Sequence, residues 1–372
     1  MTPVVVAIWD SGVDVALFPG RLFVNGKETA GNGRDDDGNG FVDDVHGIAH
    51  DLNHDRSTGV LPPTSLTAAQ QAEFAANMRG DRDMRGGVDS PEARALKQKL
   101  ASLGAAQAFA WFDGMNRFNE LSHGTFLAGI AAQGNPAVRL LVARNEEDNW
   151  KMKPQLVTLA GEQKRARELH ETIAYFKRHG VRVVNVSWAF SPGYYADILA
   201  RNQVADTAIR RQMARQLFDT AVAALRGAME SAPEILFVTV AGNRNDDGRF
   251  VERVPSTFDL PNLITVGAVD HAGDEAPFTS YGKVDVHANG SEIQSVAPGG
   301  ATVPASGTSM AAPQVVNLAG KLLALRPHLT IVELRKAIIG TADEKRIGEA
   351  RTIRLLNSKA AMDRILAGPG RR

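Results

Sequence analysis

Short, largely apolar runs alternate along this chain with longer segments whose apolar residues recur every three or four positions. The first run, Val4 to Trp9, is apolar throughout, and strands are also predicted at 138–143, 181–188, 235–240 and 263–268. Short continuous apolar runs are typical of parallel strands buried on both faces. The segments at 162–179 and 195–231 have helical periodicity. This alternation predicts an α/β fold in three layers, with a mostly parallel central sheet and helices on both faces.

A serine lies where a loop is predicted to become a helix. Ser309 belongs to the segment 307–313, which reads GTSMAAP. At a helix N-terminus the first N–H groups lack intrahelical partners and the dipole is positive, which favours an anion forming beside the hydroxyl. Serine is also a common helix cap there, and Pro313 is expected within the first turn. The apolar residues that follow at helical spacing are Val315, Val316, Leu318, Ala319, Leu322, Leu323 and Leu325.

Three other polar residues stand at predicted strand ends or helix starts. Asp10 follows the first apolar run, Asn243 follows the run at 235–240, and His123 introduces a predicted helix. The carboxyl ends of parallel strands form the edge where α/β active sites usually lie. Each residue alone could be a turn or cap residue. With Ser309 they supply a nucleophile, a base, a carboxylate to orient the base and an amide donor for an oxyanion.

The residues flanking these four positions carry a family resemblance. The segments 10–14 (DSGVD), 123–125 (HGT), 241–243 (AGN) and 307–313 together resemble the signatures of the subtilisin-like serine peptidases. The resemblance runs from Val4 to about Ala361 and implies a subtilisin-like three-layer fold. The order Asp, His, Ser also follows that family, whereas α/β-hydrolases have the order Ser, acid, His.

The resemblance implies a role for each residue. Ser309 is the nucleophile, His123 the base, Asp10 orients the imidazole, and Asn243 donates to the oxyanion. The implied substrate-binding residues are Ser187, Trp188, Ala189, Ala241 and Gly242. The chain departs from the family pattern at Phe126 and Gln314, where histidine is usual, and at Trp188-Ala189, where smaller residues are usual. The last departure predicts a narrower entrance to the specificity pocket.

An acidic stretch at 32–44 predicts a structural calcium loop. Oxygen ligands at alternating positions are typical of such loops. The predicted ligands are Asp35, Asp37, Asn39, the carbonyl of Phe41, and Asp43. His46 stands where an EF-hand has its closing Glu, and a solvated acidic turn is the alternative reading. The spacing of His46, His50 and His54 would suit zinc on a helix, but Gly47 and the polar run at 51–59 argue against a helix.

Residues 60–120 predict a helical insertion within a single domain spanning 1–372. A capping box at Thr67 and a Ser90-Pro91 start indicate two surface helices, and an aromatic segment at 105–118 a third. The insertion is interpreted as a flap packed on the main body, or as a wall over a substrate cleft. If residues 60–118 wall the cleft, shortening them should alter substrate preference more than stability.

Composition excludes several function classes. The chain has 42 basic and 42 acidic residues, and it has no basic stripe of the kind that binds nucleic acid. It has no cysteine, which excludes a disulfide and a thiol nucleophile. No apolar run is long enough to cross a membrane, and no signal peptide precedes Val4. Relatives of this kind are commonly secreted and carry an N-terminal prodomain, so we expect a mature or excised domain, monomeric, with a prodomain or peptide inhibitor as a partner. The sequence does not specify a cellular location.

The function predicted is a serine endopeptidase acting on proteins or peptides in extended form, with no cofactor in the chemistry. Two alternatives remain open at this point. A silent subtilisin-like fold could act as a binding module, although such proteins generally lose a triad residue. A peptide ligase or macrocyclase would use the same acyl-enzyme and resolve it with an amine instead of water.

Overall fold

The computed structural model describes residues 1–85, 88–145, 156–348 and 351–367. The strands are β1 (Val4–Asp10), β2 (Gly47–His50), β3 (Arg56–Ser57), β4 (Val138–Asn145), β5 (Val181–Val186), β6 (Leu236–Val240), β7 (Leu263–Val269), β8 (Val286–Asn289), β9 (Ile293–Val296), β10 (Thr302–Ala305), β11 (Asp343–Ile347) and β12 (Arg351–Leu355). The helices are α1 (Ala68–Arg85), α2 (Pro91–Ala101), α3 (Ala105–Ala132), α4 (Leu159–Arg178), α5 (Pro192–Arg201), α6 (Thr207–Glu230), α7 (Thr308–Leu325), α8 (Ile331–Ile339) and α9 (Ser358–Ala367). Among these described residues, no helix is long and apolar enough to cross a membrane.

One ten-stranded sheet forms the centre of the fold, in the order β11-β12-β8-β7-β6-β5-β1-β4-β2-β3. All neighbouring pairs from β12 to β2 are parallel, and only the edge strands β11 and β3 pair antiparallel. The predicted α/β fold with a mostly parallel sheet is confirmed. Because the strands are parallel, their carboxyl ends meet at one edge, where β1 ends at Asp10.

The alternation of side chains along β1 shows that both faces of the sheet are covered. Val6 and Ile8 belong to a core with α3 and α7, whereas Ala7 and Trp9 belong to a core with α4 and α6 on the other face. Burial on both faces explains why the strands read as continuous apolar runs.

The predicted insertion is continuous with the first of these cores. Phe74 of α1, Leu96 of α2 and Trp111 of α3 are buried in the same cluster as β1 and α7. The predicted helix starts at Thr67 and Ser90 are confirmed, since each side chain accepts the hydrogen bond expected of a cap. The helices at 68–85, 91–101 and 105–132 therefore pack on the main body.

The prediction that His123 starts a helix is wrong. The aromatic segment at 105–118 and the helix bearing His123 form the single helix α3, and His123 lies in its second half. No proline or other helix breaker separates Phe118 from His123, so nothing ends the first part of the helix.

Three other boundaries also differ from the sequence-based expectation. The predicted helix at 195–231 is interrupted between α5 and α6, where Gln203 has φ +65° and Asp206 caps α6. The glycine-rich segment at 295–305 is not only loop, because β9 and β10 form an antiparallel hairpin around it. Pro313 is the sixth residue of α7 and lies beyond its first turn.

Candidate active site

Asp10 and His123 meet at the carboxyl edge of the sheet. His123 Nδ1 lies 2.6 Å from Asp10 Oδ1. The Asp10 side chain is 3% exposed and also accepts the Ser11 N–H at 2.9 Å, whereas the His123 side chain is 30% exposed. A buried carboxylate that binds Nδ1 fixes the orientation of the imidazole and leaves Nε2 as the ring nitrogen for other chemistry.

The residues that follow Asp10 fasten α3 to the end of β1. Ser11 Oγ accepts the Gly124 N–H at 3.2 Å, and Thr125 Oγ1 accepts the Asp14 N–H at 3.0 Å. Between these contacts the backbones approach so closely that a Cβ on Gly124 would lie 2.2 Å from the Gly12 carbonyl oxygen. The segments DSGVD and HGT are thus two halves of one docking contact, which places His123 beside Asp10.

Asn243 lies beside the residues that begin α7. Its Oδ1 accepts the Thr308 N–H at 2.8 Å and the Thr308 hydroxyl at 2.9 Å. Because the oxygen is used in this way, the Nδ2 group is the part of the amide left to donate to another acceptor. The same contact fixes the backbone directly before Ser309.

Ser309 is the second residue of α7 and is 8% exposed. Gly307, with φ +154°, is the N-cap residue directly before the helix. Proline has no N–H, so Pro313 cannot donate the helical bond that the Ser309 carbonyl would otherwise accept. Helices α7 and α3 pack against each other, and Asn317 Nδ2 donates to the Ala131 carbonyl across that contact at 2.9 Å.

A buried arginine that the sequence analysis missed braces the turn before Asn243. Arg253 donates to the Ala241 carbonyl at 3.1 Å and pairs with Asp246 through both terminal nitrogens. The hydrogen bond from Arg253 lowers the pKa of Asp246, so this carboxylate stays ionised. A Cβ on Gly242 would lie 2.5 Å from the guanidinium, which explains the glycine. No local sequence pattern relates Arg253 to this turn.

A cavity of about 240 Å³ opens beside Asp10 and His123. Its lining residues are Asp10, Ser11, Glu120, His123, Asn145, Ser187, Trp188 and Ala189. The predicted substrate-binding residues Ser187, Trp188 and Ala189 therefore lie in the same cavity as Asp10 and His123. Asn145 was missed, although it ends β4 and so had the same signal as Asp10: a polar residue at the carboxyl end of a parallel strand.

The Trp188 indole belongs to the core beneath this cavity. It is 8% exposed, donates from Nε1 to the Trp9 carbonyl at 2.9 Å, and packs edge-on against the Trp9 ring. The sequence departure at this position therefore adds aromatic packing below the cleft.

The acidic loop groups a different set of carboxylates from the one predicted. Oxygens of Glu28, Asp37 and Asp44 lie within 4.8 Å of one another, and only Asp37 belongs to both sets. Glu28 Oε2 is buried and has no hydrogen-bond partner. Burial raises the pKa of Glu28, and the charge of Asp44 adds to this rise. Such crowding of carboxylates would be relieved by a cation.

The other predicted calcium ligands have partners within the loop. The Asp35 carboxylate accepts the N–H groups of Asn39 and Gly40, and the Asp43 carboxylate accepts those of Asn32 and Gly33. Asn39 Oδ1 accepts the Phe41 N–H at 2.8 Å. The polar groups of Asp35, Asp43 and Asn39 therefore stabilise the turns of the loop.

The three histidines after this loop do not share a helix. His46 Nδ1 contacts the Phe23 carbonyl at 2.8 Å, and His54 Nδ1 contacts Glu168 at 2.7 Å. His50 lies in β2, 3.3 Å from Glu171. Because His50 lies in a strand and the three residues share no helix, the zinc arrangement on a helix is excluded, as Gly47 suggested.

Comparison with known families decides the relationship of the whole chain. Residues 2–358 match the family described as peptidase S8, the subtilase family. The chain belongs to the subtilase family. The resemblance found in the sequence is therefore confirmed over nearly the full length of this subtilase.

Curated relatives match this subtilase over shorter stretches. Subtilisin of Bacillus pumilus is 38% identical over 109 residues, which are 29% of this chain and 39% of the relative. A subtilisin-like protease of Coccidioides posadasii is 36% identical over 126 residues, 33% of this chain and 30% of the relative. The chain thus spans between 30% and 39% of the length of these two relatives.

Solved structures share the subtilase fold at low identity. A cold-adapted subtilisin-like serine proteinase matches with a TM-score of 0.51 and 17% identity, covering 96% of this chain and 89% of that one. The A-subunit of an AB5 toxin from E. coli matches with a TM-score of 0.54 and 16% identity, covering 98% and 93% of the two chains. The subtilisin-like three-layer fold is confirmed by these matches.

Proposed function

We propose that this subtilase is a serine endopeptidase that hydrolyses peptide bonds in proteins or extended peptides through an acyl-enzyme. The observation that carries the proposal is the 2.6 Å contact between His123 Nδ1 and the buried Asp10 carboxylate. It supplies an oriented general base at the edge of the sheet, on a helix that packs against the one bearing Ser309. Membership of the family supports the same assignment.

In the first half-reaction Ser309 Oγ attacks the carbonyl carbon of the substrate while His123 Nε2 takes the hydroxyl proton. Asp10 stabilises the imidazolium that forms. The tetrahedral intermediate then collapses, the C–N bond breaks, and the imidazolium gives its proton to the departing amine. The acyl group remains as an ester on Ser309.

In the second half-reaction water replaces the amine. His123 Nε2 takes a proton from water as the water oxygen attacks the ester carbon. The bond between the acyl carbon and Ser309 Oγ then breaks. The proton returns to Ser309 Oγ, so the free carboxylic acid leaves and the enzyme is restored. Only groups of the protein and water take part.

We assign Asn243 Nδ2 and the Ser309 N–H as the hydrogen-bond donors to the oxyanion of both tetrahedral intermediates. Thr308 holds the Asn243 oxygen, so the amide needs no reorganisation when the negative charge develops. The first turn of α7 adds its dipole.

The substrate is proposed to bind as an extended chain along residues 187–189, with Ala241 and Gly242 as further contacts. Main-chain pairing of this kind accepts many sequences, and pockets add preference. A prodomain or peptide inhibitor would bind the same cleft in the same way.

We assign a structural Ca²⁺ to Glu28, Asp37 and Asp44, in place of the ligand set read from the sequence. The fit rests on the buried, unpartnered Glu28 Oε2 and on oxygen donors, which Ca²⁺ prefers. The ion would hold the loop between β1 and β2 and take no part in the reaction.

Digestion of an unfolded protein by the purified chain tests the function. We expect cleavage by the native chain, and no cleavage by Ser309→Ala or His123→Ala. Ser102→Ala, at an exposed helix end, is the matched control and should cleave normally. Mass spectrometry of the products separates hydrolysis, which adds one water per cut, from ligation, which adds none. Unchanged cleavage by Ser309→Ala would refute the proposal, and binding without turnover by the native chain would favour the binding module.

A further inference from the structure

Helix α1 of the insertion contacts the segment that leads into Ser309. Arg82 Nη1 donates to Ser306 Oγ at 3.3 Å, and Arg82 Nη2 donates to Glu292 Oε1 at 3.0 Å. The Glu292 N–H donates to the same Ser306 oxygen at 2.9 Å. The three residues thus form a closed ring of hydrogen bonds, three positions before Ser309.

The segment after this ring is held at each successive residue. Ser306 is held by Arg82, the Gly307 N–H donates to the Gly290 carbonyl at 2.8 Å, and the Thr308 N–H donates to Asn243. Of these three anchors, the one on Ser306 is made by a residue of the insertion. The others lie within the subtilase framework around the hairpin and β6.

Arg82 is itself held in place by its neighbours. Its Nε and Nη2 donate to Asp83 Oδ1 at 3.0 and 2.7 Å, and the Asp83 side chain is only 7% exposed. The guanidinium is 24% exposed, so it is partly shielded from water. A planar guanidinium that binds three acceptors has a fixed direction.

The helix that carries Arg82 is anchored to the rest of the insertion. Glu73 of α1 accepts hydrogen bonds from Lys99 of α2 at 2.6 Å and from Trp111 Nε1 of α3 at 2.9 Å. Phe74 packs edge-on against the Trp111 ring in the main core. Helix α1 is therefore a fixed support for the arginine, and its contacts with Trp111 join that support to α3, the helix that carries His123.

We propose that Arg82 is a positioning residue that sets the strand-to-helix turn bearing Ser309, and that the insertion supports the nucleophile through it. This inference rests on the proposed function for its catalytic consequence. A displacement of about 1 Å in a reacting group can lower turnover by about 100-fold. Arg82 does not touch the reacting atoms, so its loss should lower kcat and leave KM nearly unchanged.

Arg79 is the matched control on the same helix. It lies 3.8 Å from Glu292 and from Asp83 and 3.5 Å from Glu92, but among the described residues the side-chain hydrogen bond to Ser306 Oγ comes from Arg82. Arg79→Ala therefore removes a comparable charge without removing the contact to Ser306.

The test compares Arg82→Ala, Arg82→Lys and Arg79→Ala in the full chain. The measurements are kcat and KM on a peptide substrate, hydrogen exchange of peptides covering 303–311, and the melting temperature. For Arg82→Ala we expect a loss of kcat of about 10- to 100-fold, KM within about twofold, faster exchange at 303–311, and a melting temperature lowered by less than about 3 °C. Arg82→Lys should recover part of kcat, and Arg79→Ala should behave as the native chain.

Two results would overturn the proposal: a kcat for Arg82→Ala equal to that of Arg79→Ala, or unchanged exchange at 303–311. If the native chain proves inactive, the proposed function fails but exchange still decides the positioning role. Faster exchange confined to Arg82→Ala would then support it, and equal exchange in both variants would refute it.

Discussion

His123 Nδ1 lies 2.6 Å from Asp10 Oδ1, although the two residues are separated by 113 positions. The contact depends on the close approach of two backbone segments. Helix α3 crosses the end of β1 at a point where each segment has a glycine, Gly12 after β1 and Gly124 in α3. A side chain at Gly124 would force the helix away from Asp10. The geometry of the candidate base is therefore set by main-chain packing.

Gly124→Ala should disrupt the candidate site by moving His123 away from Asp10. The added Cβ would lie 2.2 Å from the Gly12 carbonyl oxygen, which requires the helix to shift. We expect peptidase activity to fall by about 10-fold or more and stability by about 1–3 kcal/mol. The control is Gly104→Ala, where the nearest atom lies 3.7 Å from the new Cβ. Normal activity in Gly124→Ala would show that the close approach does not set the site.

Asn243→Asp should separate the two roles of the Asn243 side chain. The carboxylate keeps an oxygen for the Thr308 N–H and hydroxyl, but it loses the Nδ2 donor. We expect kcat to fall by about 10²- to 10³-fold with a melting temperature near that of the native chain. Asn243→Ala should lose both kcat and stability. The variants are compared by steady-state kinetics and by thermal unfolding. An unchanged kcat in Asn243→Asp would contradict the role of Asn243 as a donor to the oxyanion.

Calcium should stabilise the native chain through Glu28, Asp37 and Asp44. An ion at about 100 times its Kd adds about 2.7 kcal/mol, or about 3–4 °C in melting temperature for a chain of 372 residues. We expect this rise in CaCl₂ relative to a chelator for the native chain and for Asp43→Asn, whose carboxylate binds backbone N–H groups. Asp37→Asn and Asp44→Asn should lose it. Loss of the rise in Asp43→Asn, with the rise kept in Asp44→Asn, would favour the ligand set read from the sequence.

Acid should destabilise the fold through His287. Burial lowers the pKa of His287 to about 4, whereas the unfolded residue titrates near about 6.5. The unfolded state therefore binds more protons between these values, and stability falls as the pH drops from about 6.5 to about 4, by about 3 kcal/mol in total. We expect the free energy of unfolding, measured with denaturant, to fall between pH 7 and pH 4 by about 3 kcal/mol less in His287→Asn than in the native chain. An equal loss in both proteins would mean that the Glu275 carboxylate, 3.5 Å from Nε2, offsets the burial.

The sheet and much of the candidate site could be predicted because their causes are local in sequence. A strand buried on both faces is mostly apolar, so β1 was found to within one residue of its end. Asp10 then follows as a polar residue at a strand end, whereas Asn145 was missed although it carries the same signal.

Other features depend on contacts between distant segments. The start of the His123 helix was misplaced because a sequence motif marked a boundary where the chain has no helix breaker. Glu28 and Asp44 lie near Asp37 in the structure, but Glu28 lies outside the motif, and Asp43 adopts φ +53° with its carboxylate accepting the Gly33 N–H. The calcium ligands read from the sequence therefore stay a prediction. Arg82 and Arg253 reach their partners across the fold and leave no local pattern.

A fluorophosphonate probe tests the central claim most directly, because it reacts only with a serine that is activated by an assembled base. The purified chain, Ser309→Ala and His123→Ala would be treated with the probe, and the added mass located by peptide mapping. Labelling confined to Ser309 in the native chain, and absent from both variants, is the result we predict. Labelling elsewhere, or no labelling in a folded native chain, would contradict the assignment of Asp10, His123 and Ser309 as one catalytic unit.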